Sequence, residues 1–68
     1  MENFKLNSEY IELCSLLKVA GPMISGGMAK LMIAEGLVKV DGKVELRKKC
    51  KIRTGQIVDT KGHLIKIF

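Results

Sequence analysis

Apolar residues recur at helical spacing twice in the first half of the chain, and they alternate with polar ones through much of the second half. The first helical run predicts a helix over residues 9–18, with Ser8 as its N-cap and with Gly21 and Pro22 at its end. Residues spaced i, i+3, i+4 and i+7 share one helix face. In this helix they are Tyr10, Leu13, Cys14 and Leu17. We therefore expect this face in the core, including Tyr10.

A second helix is predicted to begin at the cap Ser25 and to end at Gly36, which would adopt the left-handed conformation there. Its expected buried stripe consists of Met28, Ala29, Met32 and Ile33. Lys30 would lie on the opposite side, in solvent. Gly26 and Gly27, in the first turn, either leave backbone amides open to an anion or form a flexible entry turn without a ligand. The residues leave both interpretations open.

The segment after Gly36 alternates as a β-hairpin does. A two-residue turn at Asp41 and Gly42 would send part of the apolar set to the wrong face, so we predict a three-residue loop over residues 41–43. That register places four apolar residues on the core face, namely Val38, Val40, Val44 and Leu46. Lys39 and Glu45 would then face solvent.

A last hairpin is predicted around a Lys61–Gly62 turn, with Val58 opposite Ile65 and with His63 as a solvated residue near the tip. The alternation of Phe4 and Leu6 around Lys5 predicts a short edge strand at the start of the chain. The predicted fold class is therefore α+β. A helix-turn-helix-like unit would pack on a small, mainly antiparallel sheet of hairpins, in a single domain of residues 1–68.

Charge is distributed unevenly along the chain. The formal net charge is +5, with −1 on residues 1–29 and +6 on residues 30–68. Five cations fall within seven residues, at Arg47, Lys48, Lys49, Lys51 and Arg53. Such a run is either a solvated surface or a site for an anion. The imbalance favours a polyanionic partner.

Several other functions are disfavoured by the sequence. No hydrophobic stretch approaches the roughly 20 residues of a membrane span, and no export signal is recognisable, so we expect a cytoplasmic protein. An acidic membrane surface is the weaker competitor for the basic run, because the cations lie on a hairpin with no amphipathic helix or exposed aromatic residue to insert, so we expect no membrane binding. Cys14 is expected in the core and a disulfide with Cys50 is not expected. Two cysteines with His63 as the one histidine do not make a zinc site, and no catalytic set can be assembled, so we expect neither cofactor nor metal, no small-molecule substrate and no enzymatic activity.

The stretch "SGGMAKLMIAEGLVKVDGKVE", followed by "IRTGQIV", resembles a known family across roughly residues 10–60. This family is the small RNA-binding domain named after small-subunit ribosomal protein S-four, and within it the chain resembles the short stand-alone bacterial members of the YbcJ type. The resemblance implies an RNA-binding surface formed by the second helix and the hairpin. Position by position, it assigns Ser25, Lys30 and Lys39 to that surface. Many larger members have Arg where this chain has Gly26, which removes one phosphate contact.

The predicted site joins those three residues to the basic run, and it consists of Ser25, Lys30, Lys39, Arg47, Lys48, Lys49 and Lys51. A small basic protein recognises A-form RNA through phosphates, shape and 2′-hydroxyls. Single-strand readers need exposed aromatic platforms, and with Tyr10 expected in the core they are disfavoured. We therefore expect a monomer that docks on structured RNA, such as ribosomal or transfer RNA. An adaptor for an acidic protein or another polyanion is the alternative.

Overall fold

The structure, a computed structural model, describes residues 2–21 and 24–68. Within these residues two helices and seven strands follow one another. They are β1 (Glu2–Phe4), β2 (Ile11–Glu12), α1 (Leu13–Ala20), α2 (Gly26–Ala34), β3 (Val38–Val40), β4 (Lys43–Val44), β5 (Lys51–Ile52), β6 (Ile57–Thr60) and β7 (His63–Ile67). Five strands form one sheet in the order β1-β7-β6-β3-β4, and β2 pairs with β5 in a separate ribbon. All pairings are antiparallel except β1 with β7, which confirms the expected α+β class.

One hydrophobic core lies between the two helices and the sheet. The side chains that the structure buries completely are contributed by both layers, and they include Leu13, Leu16, Leu17, Ile33, Val38, Ile52, Val58, Ile65 and Ile67. Burying a side chain of this size contributes about 1.5–3 kcal/mol. Cys14 is buried among them, as expected, and both Cys14 and Cys50 are free thiols. No helix in the described ranges is long and apolar enough to cross a membrane.

The start of α1 differs from the sequence prediction. The helix begins at Leu13, and the Ser8 hydroxyl donates a hydrogen bond to the Tyr10 carbonyl instead of capping it. The first helical amides are satisfied from elsewhere: Leu13 N–H donates to the Cys50 carbonyl and Cys14 N–H to the Lys48 carbonyl, both at 2.9 Å. Tyr10 therefore precedes the helix and is 38% exposed, so its assignment to the core was wrong.

The second helix closely follows the prediction. Ser25 is its N-cap, with the side-chain oxygen accepting a hydrogen bond from Met28 N–H at 3.1 Å. At the other end Gly36 has φ +76°, and it donates to the Ile33 carbonyl while Leu37 donates to the Met32 carbonyl, as in a Schellman motif. The predicted buried stripe was wrong at Met28, which is 51% exposed, and is confirmed at Ala29, Met32 and Ile33.

The three-residue loop predicted for the first hairpin was wrong. Lys39 pairs with Val44 and Val40 with Lys43, so Asp41 and Gly42 form a two-residue turn. Both turn residues have positive φ, 52° and 84°, as a type I′ turn requires. The Asp41 carboxylate also accepts hydrogen bonds from the neighbouring strand, including one from Ile57 N–H at 2.9 Å.

This register turns two expected core residues outward. Val44 is 52% exposed and Leu46 is 61% exposed. The core is formed without them: β3 pairs on its other side with β6, and Val38 and Val58 from these two strands are completely buried.

The last hairpin has the expected register. Val58 lies opposite Ile65 and Thr60 opposite His63. The first strand is an edge strand beside β7, as expected, but it ends at Phe4, so Lys5 and Leu6 lie beyond it. His63 is less solvated than expected, because its Nε2 lies 3.0 Å from Glu2 Oε1 on β1. The expected end of the first helix is confirmed at Gly21, its C-cap, while Pro22 lies outside the described residues.

Candidate functional site

An open groove of about 770 Å³ runs between α2 and the segment that connects β4 to β5. One wall is formed by Lys30, Ile33 and Ala34 of α2, and the other by residues 46–51. We call this feature the cationic groove, because five of the seven predicted site residues line it. They are Lys30, Arg47, Lys48, Lys49 and Lys51. The fold thus brings a helix lysine beside a basic run that begins 17 positions later.

The basic wall of the groove is held by its own backbone. The carbonyls of Lys48 and Cys50 accept the hydrogen bonds from the first amides of α1, and Cys50 N–H donates to the Arg47 carbonyl at 3.1 Å. Further along, Lys51 pairs with Glu12 between β5 and β2. The main chain is therefore fixed at several points, while the side chains of Lys48 and Lys49 stay exposed.

Arg47 differs from its neighbours because it already has an anionic partner. Its Nε lies 2.9 Å from Glu45 Oε2 and its Nη2 lies 3.1 Å from Glu45 Oε1, a bidentate pair. The hydrogen bonds from Arg47 lower the pKa of the Glu45 carboxyl to about 2. Glu45 consequently stays ionised near neutral pH, and its charge partly neutralises that of Arg47.

The thiol of Cys50 lies beside this ion pair. Arg47 Nη2 is 3.9 Å from Cys50 Sγ, and burial, followed by hydrogen bonding to Glu45, raises the pKa of the thiol. Cys50 therefore remains protonated near neutral pH and adds no charge to the groove.

The four lysines of the groove have no such partner among the residues that the structure describes. In the part of the chain that the structure describes, Lys30, Lys48, Lys49 and Lys51 are all exposed and make no salt bridge. Like charges gathered along one groove repel one another, and an external anion would relieve that repulsion. The groove is therefore a concentrated positive site with uncompensated charge.

The two remaining predicted site residues do not line the groove. Ser25 caps α2 with its hydroxyl, which gives it a structural role. Lys39 lines a separate hollow with Gly36, Leu37, Asp59, Lys61 and Gly62. In that hollow it lies opposite Asp59 in the β3–β6 register.

The structure adds a cation near the start of α2 that sequence analysis missed. A Cβ atom at Gly26 would lie 3.1 Å from Lys18 Cδ, so the Lys18 side chain passes directly over this glycine. Gly26 thus has a packing role, and the α1 lysine lies beside the positive end of the α2 dipole. No local sequence signal links the two residues, because their contact depends on how the helices pack.

Sequence analysis also missed the surroundings of Tyr10. Its ring centroid is 4.9 Å from Lys51 Nζ and 5.7 Å from Arg53 Cζ, distances typical of cation–π contacts. Lys51 lies in β5, and Tyr10 and Arg53 flank the β2–β5 ribbon, which continues directly from the basic wall of the groove. Among the described residues, no group of three or more His, Cys, Asp or Glu side chains is placed to hold a metal ion.

Fold and site together define a class of small α+β domain, in which a two-helix unit packs on a mainly antiparallel sheet and presents a cationic groove along its second helix. The chain belongs to the S4 domain family, whose family model matches residues 4–68. This match extends beyond the residues 10–60 that carried the resemblance, and it confirms the predicted family.

Individual relatives match over nearly the whole chain. The Escherichia coli (strain K12) protein named "Putative RNA-binding protein YbcJ" is 52% identical over 68 residues, covering 98% of this chain and 97% of that protein. A Shigella flexneri protein named "Uncharacterized protein YbcJ" matches with the same identity and coverage. The solution structure of E. coli YbcJ superposes with a TM-score of 0.74 at 51% identity, covering 98% of this chain and 86% of that one. That structure is described as revealing an αL motif involved in RNA binding.

Proposed function

We propose that this protein binds structured RNA through the cationic groove and performs no catalysis. The observation that supports this most strongly is the convergence of Lys30 on the basic run, which gathers along one groove four lysines that make no salt bridge to any described residue. The RNA-binding name of the E. coli relative and the αL motif described for its solution structure support the same function.

The geometry favours a structured RNA over a sequence-specific single strand. The base edges of an A-form helix lie in a deep, narrow groove that side chains cannot read, so a rigid protein recognises its phosphates and 2′-hydroxyls. Lysine ammonium groups bind phosphates as point charges and tolerate variation in sequence. The anchored backbone of residues 46–51 holds these charges on a fixed frame. Ribosomal and transfer RNAs, which contain such helices, are the targets we propose.

The residues of the site have different proposed roles. Lys30, Lys48, Lys49 and Lys51 contact phosphates directly, and Arg47 uses the guanidinium donors that Glu45 leaves free. Ser25 contributes by ordering the start of α2, and Lys39 lies at the periphery. We further propose that residues 1–68 act as one monomeric domain in the cytoplasm.

Salt dependence and competition together test RNA binding against the alternative, an adaptor for an acidic protein. If four to six cations contact phosphates, the affinity for an RNA hairpin should fall on the order of a hundredfold between 50 and 200 mM salt, because binding releases condensed counterions. Fluorescence anisotropy with a labelled hairpin would measure this slope. Heparin and an acidic peptide serve as competitors at moderate salt. Salt-insensitive binding, or displacement by the acidic peptide at lower concentration than by RNA, would refute the proposed function.

Breaking the ion pair of Glu45 and Arg47 should strengthen RNA binding, unlike the loss of a groove lysine. Glu45→Gln removes a negative charge beside the groove and releases the Arg47 guanidinium, so affinity for the RNA hairpin should rise about threefold to tenfold. Asp59→Asn makes the same change of charge in the separate hollow and should have little effect on affinity. The same anisotropy titration checks both variants. Unchanged or weaker RNA binding by Glu45→Gln would show that the negative charge of Glu45 does not weaken RNA binding.

A further inference from the structure

We propose that Tyr10, together with Lys51 and Arg53, forms a stacking position for one unpaired nucleobase at the edge of the RNA that the groove holds. This inference rests on the proposed function and adds to it a preference for duplexes interrupted by an unpaired nucleotide. Tyr10 directly precedes β2 and Arg53 directly follows β5, next to the Ile11–Ile52 pair, and Lys51 lies in β5.

The environment of Tyr10 differs from that of a core aromatic residue. Tyr10 is 38% exposed, and two cations lie within 6 Å of its ring centroid, at 4.9 Å for Lys51 Nζ and 5.7 Å for Arg53 Cζ. Neither cation makes a salt bridge within the described residues. An aromatic face flanked by uncompensated cations can accept a base by stacking while the cations bind the adjoining phosphates.

Arg53 is held in place for this role. Its backbone N–H donates to Gln56 Oε1 at 2.7 Å, and its Nη1 donates to the Glu9 carbonyl at 3.4 Å. The guanidinium plane is thereby kept near the tyrosine ring, and guanidinium planes also stack on bases.

Lys51 connects the stacking position to the groove, since it both lines the groove and contacts Tyr10. A strand whose phosphates follow Lys48 and Lys49 would therefore reach the tyrosine at the end of the basic wall. Because a paired base cannot leave its stack without cost, the base received there would come from a bulge, a loop or a strand end.

The test compares two RNA duplexes of the same sequence, one fully paired and one with a single bulged nucleotide, with 2-aminopurine at the bulge. The wild-type protein should bind the bulged duplex about tenfold more tightly. Tyr10→Leu should abolish this preference, leave affinity for the paired duplex within about twofold, and leave the 2-aminopurine fluorescence unquenched. Tyr10→Phe should retain preference and quenching. Phe68→Leu, which changes another exposed aromatic residue at a different site, should also retain both.

A second readout needs no variant. Tyr10 is the only tyrosine of a chain that lacks tryptophan, so its intrinsic fluorescence reports on this position alone. It should be quenched more by the bulged duplex than by the paired one at equal absorbance. Equal binding of the two duplexes, equal quenching, or a preference that survives in Tyr10→Leu would overturn this inference and leave the proposed function standing. Failure of the wild-type protein to bind either duplex would overturn both.

Discussion

Replacing Lys30, Lys48 and Lys49 together with Gln is expected to lower the affinity for structured RNA by about a hundredfold or more near 50 mM salt. Each lysine that contacts a phosphate releases about one condensed counterion, so the slope of log affinity against log salt should fall by about two to three. The loss should be similar for RNAs of different sequence, because phosphate contacts carry no sequence information. Relief of mutual repulsion should leave the fold as stable as before or more so.

A matched variant separates local contacts from net charge. Lys5, Lys61 and Lys66 are exposed lysines outside the cationic groove, and changing all three to Gln removes the same total charge. This variant should lose only a small part of the affinity, through the weaker long-range field. Equal losses in the two triple variants would mean that net charge, and not the groove, determines binding.

The largest expected effect on stability comes from Leu17→Ala. The Leu17 side chain is completely buried between the helices and the sheet, so its truncation leaves a cavity and should reduce the free energy of unfolding by about 2–5 kcal/mol. The free energy of unfolding of a small domain can be as low as about 5 kcal/mol, so this loss would be a large fraction of it. Chemical denaturation followed by circular dichroism would measure the loss.

Val19→Ala is the control for this change, since it shortens a side chain two positions along the same helix that is 65% exposed. It should alter the free energy of unfolding by no more than about 0.5 kcal/mol. If the two variants were equally stable, the core described for α1 would be wrong.

Short sequence signals were sufficient to predict an element correctly where they agreed with the surrounding fold. In α2, a serine cap, an amphipathic run and a left-handed glycine specify both ends of the helix, and the structure confirms them. The Lys61–Gly62 hairpin was equally predictable, because its turn and its apolar alternation require the same register.

The prediction errors arose where residues distant in the sequence make the contacts that neighbouring residues were expected to make. The first turn of α1 needs no side-chain cap, because carbonyls more than 30 positions away accept its amide hydrogen bonds. In the first hairpin, the prediction favoured the register that buried the most apolar residues. The conformation of the turn determined the register instead. Asp41 and Gly42 form a type I′ turn, and the Asp41 carboxylate accepts a hydrogen bond from the neighbouring strand β6.

The candidate site was predictable only in part. The basic run is evident in the sequence, but its proximity to Lys30 depends on how α2 packs, and only the family resemblance indicated it. The pairing of Arg47 with Glu45 could have been suspected from their spacing of two residues. Tyr10 was missed because the error at the start of α1 placed it in the core.

The most direct test of the proposed interface is an NMR titration of the ¹⁵N-labelled protein with an RNA hairpin. The account predicts that the largest amide shift changes fall on α2 around Lys30 and on residues 46–53. The outer edge of the sheet, around Asn3 and Lys66, should change little. Largest changes at that outer edge, with α2 and residues 46–53 unaffected, would contradict the claim that the cationic groove binds RNA.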